Sequence, residues 1–290
     1  MVMQKALSKG SSKRSQKIRQ SKFNWTYVWL AIFLILLAMP LFYAFIVSTL
    51  SFKSTASSPP KLLPEGEFLT NMATAWTHSH MKVLLKNSMI MTMGITIGKI
   101  VFSLFGAFAL THFGKFRGAG FFAIIIIISR MLPVHVRIIP TYELMNTFGW
   151  VDTYAALIFP FLASATGLLL LQQVFLSVPS EYCDSARIDG VGPMGYLFYI
   201  LVPMTKATLS GLFLIEFVWA WNEYLWPLII TDSSRMRVLQ IGIKMLIPAD
   251  AQPPWNVIMS AVIIGLIPPL LIVIAFHDSL TKSVAFQSGK

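Results

Sequence analysis

An all-α integral membrane protein with six transmembrane helices is the fold class this sequence predicts, on three observations. Of the 290 residues, 56% are hydrophobic and 12% charged, about half the charged share of an ordinary soluble domain. Six segments stay apolar over the ~20 residues a helix needs to cross a bilayer. A tail that carries Lys5, Lys9, Lys13, Arg14, Lys17, Arg19 and Lys22, with no acid among them, precedes the first segment.

In chain order, residues 1–26 form a basic cytoplasmic tail. Its charge suits a membrane flank or anionic lipid, at about 1 kcal/mol per basic residue near the surface, better than it suits nucleic acid. The first apolar run, Tyr27–Leu50, is too long for the ~7–15-residue core of a signal peptide, so it is expected to be retained. The further spans are expected at Ser88–His112, Gly120–Ile139, Thr153–Leu176, Lys206–Ile230 and Trp255–Phe276. Residues 27–276 are thus one transmembrane domain, followed by a cytoplasmic tail at 277–290. Pro40, Pro133, Pro160, Pro268 and Pro269 lie within the spans, where packed neighbours re-pair the freed backbone groups, and they are expected at kinks. Gly94 and Gly98, four residues apart, permit close helix approach.

The basic tail places the N-terminus in the cytoplasm, and six spans return the C-terminus to the same side. Ser51–Asn87 and Thr231–Pro254 then face outward, and the loop 177–205 faces inward. That inner loop holds a polar island. Ser180 is placed to cap a helix, Glu181 and Asp184 put negative charge in its first turn, and Gly190 supplies a stop. After the break Gly192-Pro193, an apolar run from Met194 to Val202 leads into the fifth span, so the loop reads as two short helices at a bend. A capped helix lying on the membrane surface has the same pattern.

Charges inside spans are expensive and are functional or paired. Lys99, Arg130 and Glu216 are such residues, with Arg137 and Glu223 nearer helix ends. Lys99 is 11 residues into a descending span and Glu216 is 10 residues into a rising one. At about 1.5 Å per residue both reach the midplane, where they either pair or line a wet cavity separately. Asn222 follows Glu216 by six residues, about 9 Å along the same helix, on an expected solute path with Glu223 and Tyr224. Trp221, Tyr224 and Trp226 either stack on a sugar or form an interfacial belt, with the belt expected for Trp226.

Enzyme chemistry finds no support. Cys183 stands alone, so there is neither an internal disulfide nor a cysteine metal site, and His78 and His80 read as loop surface. No nucleophile and base converge. The phosphate-cradling pattern G-x-x-x-x-G-K-[ST] is absent; Gly98-Lys99 comes nearest but is followed by Ile100.

Asp184-Ser185-Ala186-x-x-Asp189-Gly190, followed by Ile200-Leu201-Val202-Pro203, resembles the "EAA" loop of permease subunits of binding-protein-dependent ABC importers. LPVHVRIIPT (132–141), SAT (164–166), ARIDG (186–190), WNEYLWPLII (221–230) and LIPP (266–269) are similar, in order and spacing, to the glycerol-3-phosphate branch of the carbohydrate-uptake group. The resemblance implies a coupling helix between spans 4 and 5 that docks on a cytoplasmic ATPase through Glu181, Asp184, Ser185, Ala186, Arg187, Asp189 and Gly190. Asp184-Ser185 stands where that family has Glu-Ala, which shortens the docking acid by one methylene. The resemblance further implies a second homologous permease subunit, two ATPase subunits that bind the ATP and Mg, an extracytoplasmic solute-binding protein, and a place in the bacterial cytoplasmic (inner) membrane. The expected solute is sn-glycerol-3-phosphate or a glycerophosphodiester. A neutral or uronate-bearing oligosaccharide, and a stand-alone proton-coupled transporter using Lys99 and Glu216, are the alternatives.

Overall fold

The computed structural model describes residues 25–57, 61–112, 118–131 and 133–288; the basic tail and its expected topogenic role lie outside them. The chain divides into two compact units, Met1–Tyr43 and Ala44–Lys290. The described part of the first is a single apolar helix, most of α1 (Trp25–Ser48). Within the second, α2 (Phe52–Thr55) and α3 (Phe68–His78) occupy the expected outer loop, and α4 (Met81–His112) begins seven residues before the expected span.

Among the described residues, three helices are long and apolar enough to cross a membrane: α1, α4, and the Trp255–His277 part of the last described helix. The rest of the expected spans are interrupted. The third is two helices, α5 (Ala119–Met131) and α6 (Val134–Thr147), because Pro133 lacks an N–H to continue the first and takes an extended backbone, ψ 137°. In the fourth, α7 (Tyr154–Ile158) passes through a 3₁₀ turn at Phe159–Phe161, around Pro160, into α8 (Ala165–Leu176), with a 45° bend. Pro40, Pro268 and Pro269, also expected at kinks, lie inside unbroken helices.

The loop expected to face inward holds α9 (Glu181–Ile188), then α10 (Pro193–Gly195), a π-helical stretch Tyr196–Leu201 and α11 (Val202–Met204). A 79° bend leads into α12 (Lys206–Trp221). The expected fifth span stops there, and α13 (Leu225–Ile230) is separate. The segment 231–254, expected to face outward, contains α14 (Leu239–Met245), and α15 (Trp255–Ser288) follows. Counting each bent pair as one crossing gives up to five crossings among the described residues.

The centre of the packing is α4, which lies against both α8 and α12, while α15 packs on α12 and α3. Glycine sets the α4 contact with α7 and α8: a Cβ on Gly94 would meet Ile158 at 2.7 Å and one on Gly106 would meet Leu168 at 2.7 Å. At Gly98 the side chain of Leu162 occupies the same place. Large side chains left exposed on α4 and α15, including Ile97, Val101, Phe102, Leu270, Leu271 and Ile274, give these helices apolar outer faces suited to lipid or another membrane chain.

Candidate functional site

Lys99 lies near the middle of the 32-residue α4, and Glu216 lies on the facing α12. The pairing left open by depth arithmetic is made: Lys99 Nζ is 2.7 Å from Glu216 Oε2, with side chains only 8% and 6% exposed. Glu216 Oε1 accepts a second bond, from Ser164 Oγ at 2.6 Å. Ser164 is also the N-cap of α8, with an extended backbone, and its Oγ accepts from Gly167 N at 3.0 Å. One hydroxyl thus ties a helix start to the buried carboxylate. On the other side of the cation, Lys99 Nζ sits 3.4 Å from the centre of the Trp219 ring, a cation–π contact that lowers the cost of burying the charge.

This cluster forms part of the wall of a cavity of about 530 Å³. Ser103 and Phe102 of α4, Ser164 and Thr166 at the start of α8, Glu216 and Trp219 of α12, and Arg137 of α6 are among its lining residues. Three of the expected path residues, Lys99, Glu216 and Arg137, therefore share one cavity. Among the described residues no carboxylate forms an ion pair with Arg137. The side chain of Arg130 lies outside the described residues.

Asn222, Glu223 and Tyr224 do not line the cavity. Asn222 caps the end of α12, exposed, and donates its side-chain amide to Val218 O at 2.7 Å; Glu223 Oε1 accepts from Trp226 N at 3.2 Å. Asn222 still ends the helix that carries Glu216, as its helical C-cap, and the break that follows takes Glu223 and Tyr224 off that helix. Neither a belt nor a sugar platform describes Trp226, which is 1% exposed, donates its indole N–H to Ala156 O at 2.9 Å, and packs edge-on against Phe161. Trp221 is likewise core, stacked on Phe217. Ser103, Ser164, Thr166 and Trp219 carried no path assignment from sequence, and the available signal was the cost of the midplane ions, which demands partners within reach.

In the loop 177–205, α9 has one anchored edge. Ala186 is buried in a cluster with Phe108, Phe175 and Leu197, and Cys183 turns toward α4, Sγ 3.9 Å from Nδ1 of His112. Glu181, Asp184, Ser185, Arg187, Ile188 and Asp189 remain exposed. Ser180 does not cap this helix as expected: its backbone is already helical and its side chain makes no capping bond. The stop at Gly190 holds. Its φ is +73° with open space around it, so backbone conformation and not crowding selects glycine there. Among the described residues no group of three His, Cys, Asp or Glu side chains is placed to hold a metal.

Residues 99–286 match the family model described as "Binding-protein-dependent transport system inner membrane component". The chain is 38% identical over 259 residues to the sn-glycerol-3-phosphate transport system permease protein UgpE of Brucella melitensis biotype 1, covering 87% of this chain and 92% of that protein. It is 37% identical over 269 residues to the UgpE of Salmonella choleraesuis, covering 90% and 95%. In fold it is similar to a chain from the crystal structure of a bacterial ABC transporter involved in the import of the acidic polysaccharide alginate, with a TM-score of 0.78 and 21% identity over 88% of this chain and 94% of that one.

Proposed function

Because the chain belongs to the family of binding-protein-dependent transport system inner membrane components, and so is the permease subunit of an ABC importer for sugar-type solutes and not an enzyme, we propose that its solute is a small anionic polyol, sn-glycerol-3-phosphate or a glycerophosphodiester. The observation that carries this reading is the charge of the cavity wall, where among the described residues Lys99 and Arg137 face a single acid, Glu216, already committed to Lys99. A cavity with one surplus cation in low-dielectric surroundings favours an anion over a neutral sugar. A uronate-bearing oligosaccharide is the second reading, since the same surplus charge suits it. Asn222, Glu223 and Tyr224 would stand on the solute's route outside the cavity.

In the assembled importer the chain pairs with a second homologous permease, two ATPase subunits dock beneath, and an extracytoplasmic binding protein delivers solute. The chain spans the bacterial inner membrane six times with both ends inside: α1, α4, α5 with α6, α7 with α8, α10–α12, and α15. The exposed face of α9 is the coupling surface, Glu181, Asp184, Ser185, Arg187, Asp189 and Gly190 meeting the ATPase while Ala186 ties the helix to the membrane domain. ATP-driven closure of the ATPases moves α9, and that motion opens the cavity outward.

The test is uptake by the complete importer in proteoliposomes. ATP-dependent uptake of labelled sn-glycerol-3-phosphate, competed by glycerophosphodiesters and not by maltotriose, is expected. Competition by an oligouronate alone would move the assignment to the second reading, and competition by maltotriose alone would overturn the anionic solute. Gly190→Asp, which forces a β-carbon onto a left-handed backbone, is expected to lower solute-stimulated ATPase activity severalfold with assembly intact. Wild-type activity in that variant would sink the coupling role of α9.

A further inference from the structure

We propose that Glu216 is a resident anion occupying, on Lys99, the place the solute's charged group takes, so that solute binding in this subunit is an exchange of anions. The inference rests on the reading that the cavity takes an anionic solute. Lys99 and Glu216 both line the cavity while paired to each other, so the ammonium is buried from bulk water and yet borders the space a solute enters. Each partner has a second contact that remains when the pair opens. Lys99 keeps the face of Trp219, 3.4 Å away, and the carboxylate keeps the hydroxyl of Ser164, 2.6 Å from its other oxygen. An exchange therefore leaves neither ion bare.

Arg137 gives the exchange its direction. It faces the same cavity, and no carboxylate among the described residues pairs with it, so an entering anion finds one available cation and a second one held by Glu216. The hydroxyls of Ser103 and Thr166 line the same space and suit a phosphate or polyol oxygen. A lysine with no resident anion would hold an anionic solute tightly in low dielectric, which opposes release. Competition from Glu216 weakens the hold, and a path needs sites weak enough to leave. Glu216 acts through Lys99 and is a positioning residue.

The experiment measures equilibrium binding of labelled sn-glycerol-3-phosphate, of a diuronate as a second anion, and of glycerol as a neutral control, to the whole importer in nanodiscs without its binding protein. Glu216→Gln removes the competing charge and is expected to tighten binding of the transported anion at least tenfold. Glycerol binding should not change, and maximal uptake should fall because release slows. Glu216→Asp, which keeps the charge but shortens the reach, is expected to shift affinity in the same direction by less, and it serves if the glutamine variant does not assemble. Lys99→Met should abolish the gain when combined with Glu216→Gln. An assembled Glu216→Gln complex that binds both anions as the parent does, or more weakly, overturns the exchange. A parent importer whose uptake does not distinguish anionic from neutral solutes overturns the anionic reading first, and this inference with it.

Discussion

Two clusters in this molecule are built from the same three residue types. In the middle of α4 and α12, Lys99, Glu216 and Ser164 make one; in the loop after α1, Lys61, Glu65 and Ser54 make the other. The contacts are nearly equal in length: 2.7 Å from Lys99 to Glu216 and 2.9 Å from Lys61 to Glu65, and 2.6 Å and 2.7 Å from the serine hydroxyl to the carboxylate. Surroundings differ. The first pair joins residues 117 apart in sequence with both side chains under 10% exposed, and the second joins neighbours four apart with 51% and 29% exposed. Contact length therefore says little about consequence. Desolvation decides it, because side chains 8% and 6% exposed recover little hydration when a partner is lost, whereas those of the exposed pair are already largely hydrated.

The largest effect is expected where that difference is broken. Lys99→Met or Glu216→Gln alone leaves one buried ion, and breaking a buried pair costs about 3–5 kcal/mol. The double variant should recover part of the loss, as a cycle of melting temperatures in detergent would read. Strictly additive losses would mean the two charges are solvated independently. Next in size is Asn71→Ala. The buried Asn71 side chain donates to Ser48 O and Leu50 O at the end of α1 and accepts from Asn256 Nδ2 at 2.7 Å. Leaving those partners unsatisfied costs about 1–3 kcal/mol, and an unchanged melting temperature would show that water reaches them. Lys61→Met, the matching cut in the exposed cluster, is expected to leave the melting temperature within its error. A loss comparable to that of Lys99→Met would erase the comparison.

The same contrast explains what the sequence could tell. Long uninterrupted apolar runs announced α1 and α15, since length and hydropathy suffice for a helix that crosses alone. The prolines, and not the hydropathy, marked the break at Pro133 and the bend around Pro160, but nothing in the sequence reading announced the break after Trp221: hydropathy integrates over a window and is blind to where the backbone turns. Lys99 and Glu216 stood out because an ion in an apolar run is rare and costly, and equal depth made pairing a geometric possibility. Ser164 and Trp219 did not stand out, since a serine or a tryptophan in such a run costs little. Only the tertiary approach of α8 and α12 makes them partners. Trp226 illustrates the reverse error, an aromatic near a span end assigned to the interface when its N–H already had a buried carbonyl, Ala156 O.

The smallest effect is the acid response of the exposed cluster, and it is the one that titrates in an accessible range. Glu65 accepts from the Ser54 hydroxyl, the Ser51 backbone N–H and the Lys61 ammonium, and these bonds, Ser54's foremost, hold its pKa at about 2 against an ordinary 4.5. A carboxyl whose folded pKa is depressed contributes stability that is complete above the unfolded value and is lost as pH falls through the folded one. The loop should therefore loosen between about pH 4.5 and pH 2. Leu62 and Leu63, 66% and 79% exposed beside the cluster, offer pepsin a site that reports the loosening. Cleavage there, taken as a ratio to a Glu65→Gln variant at each pH, should start below one near pH 4.5 and approach one at pH 2. In the variant a neutral amide replaces the carboxylate throughout, so its cleavage carries only pepsin's own pH dependence and the ratio cancels it. A ratio of one at every pH would mean that the Glu65 carboxylate does not hold the loop, and that the exposed cluster differs from the buried one in kind as well as in degree.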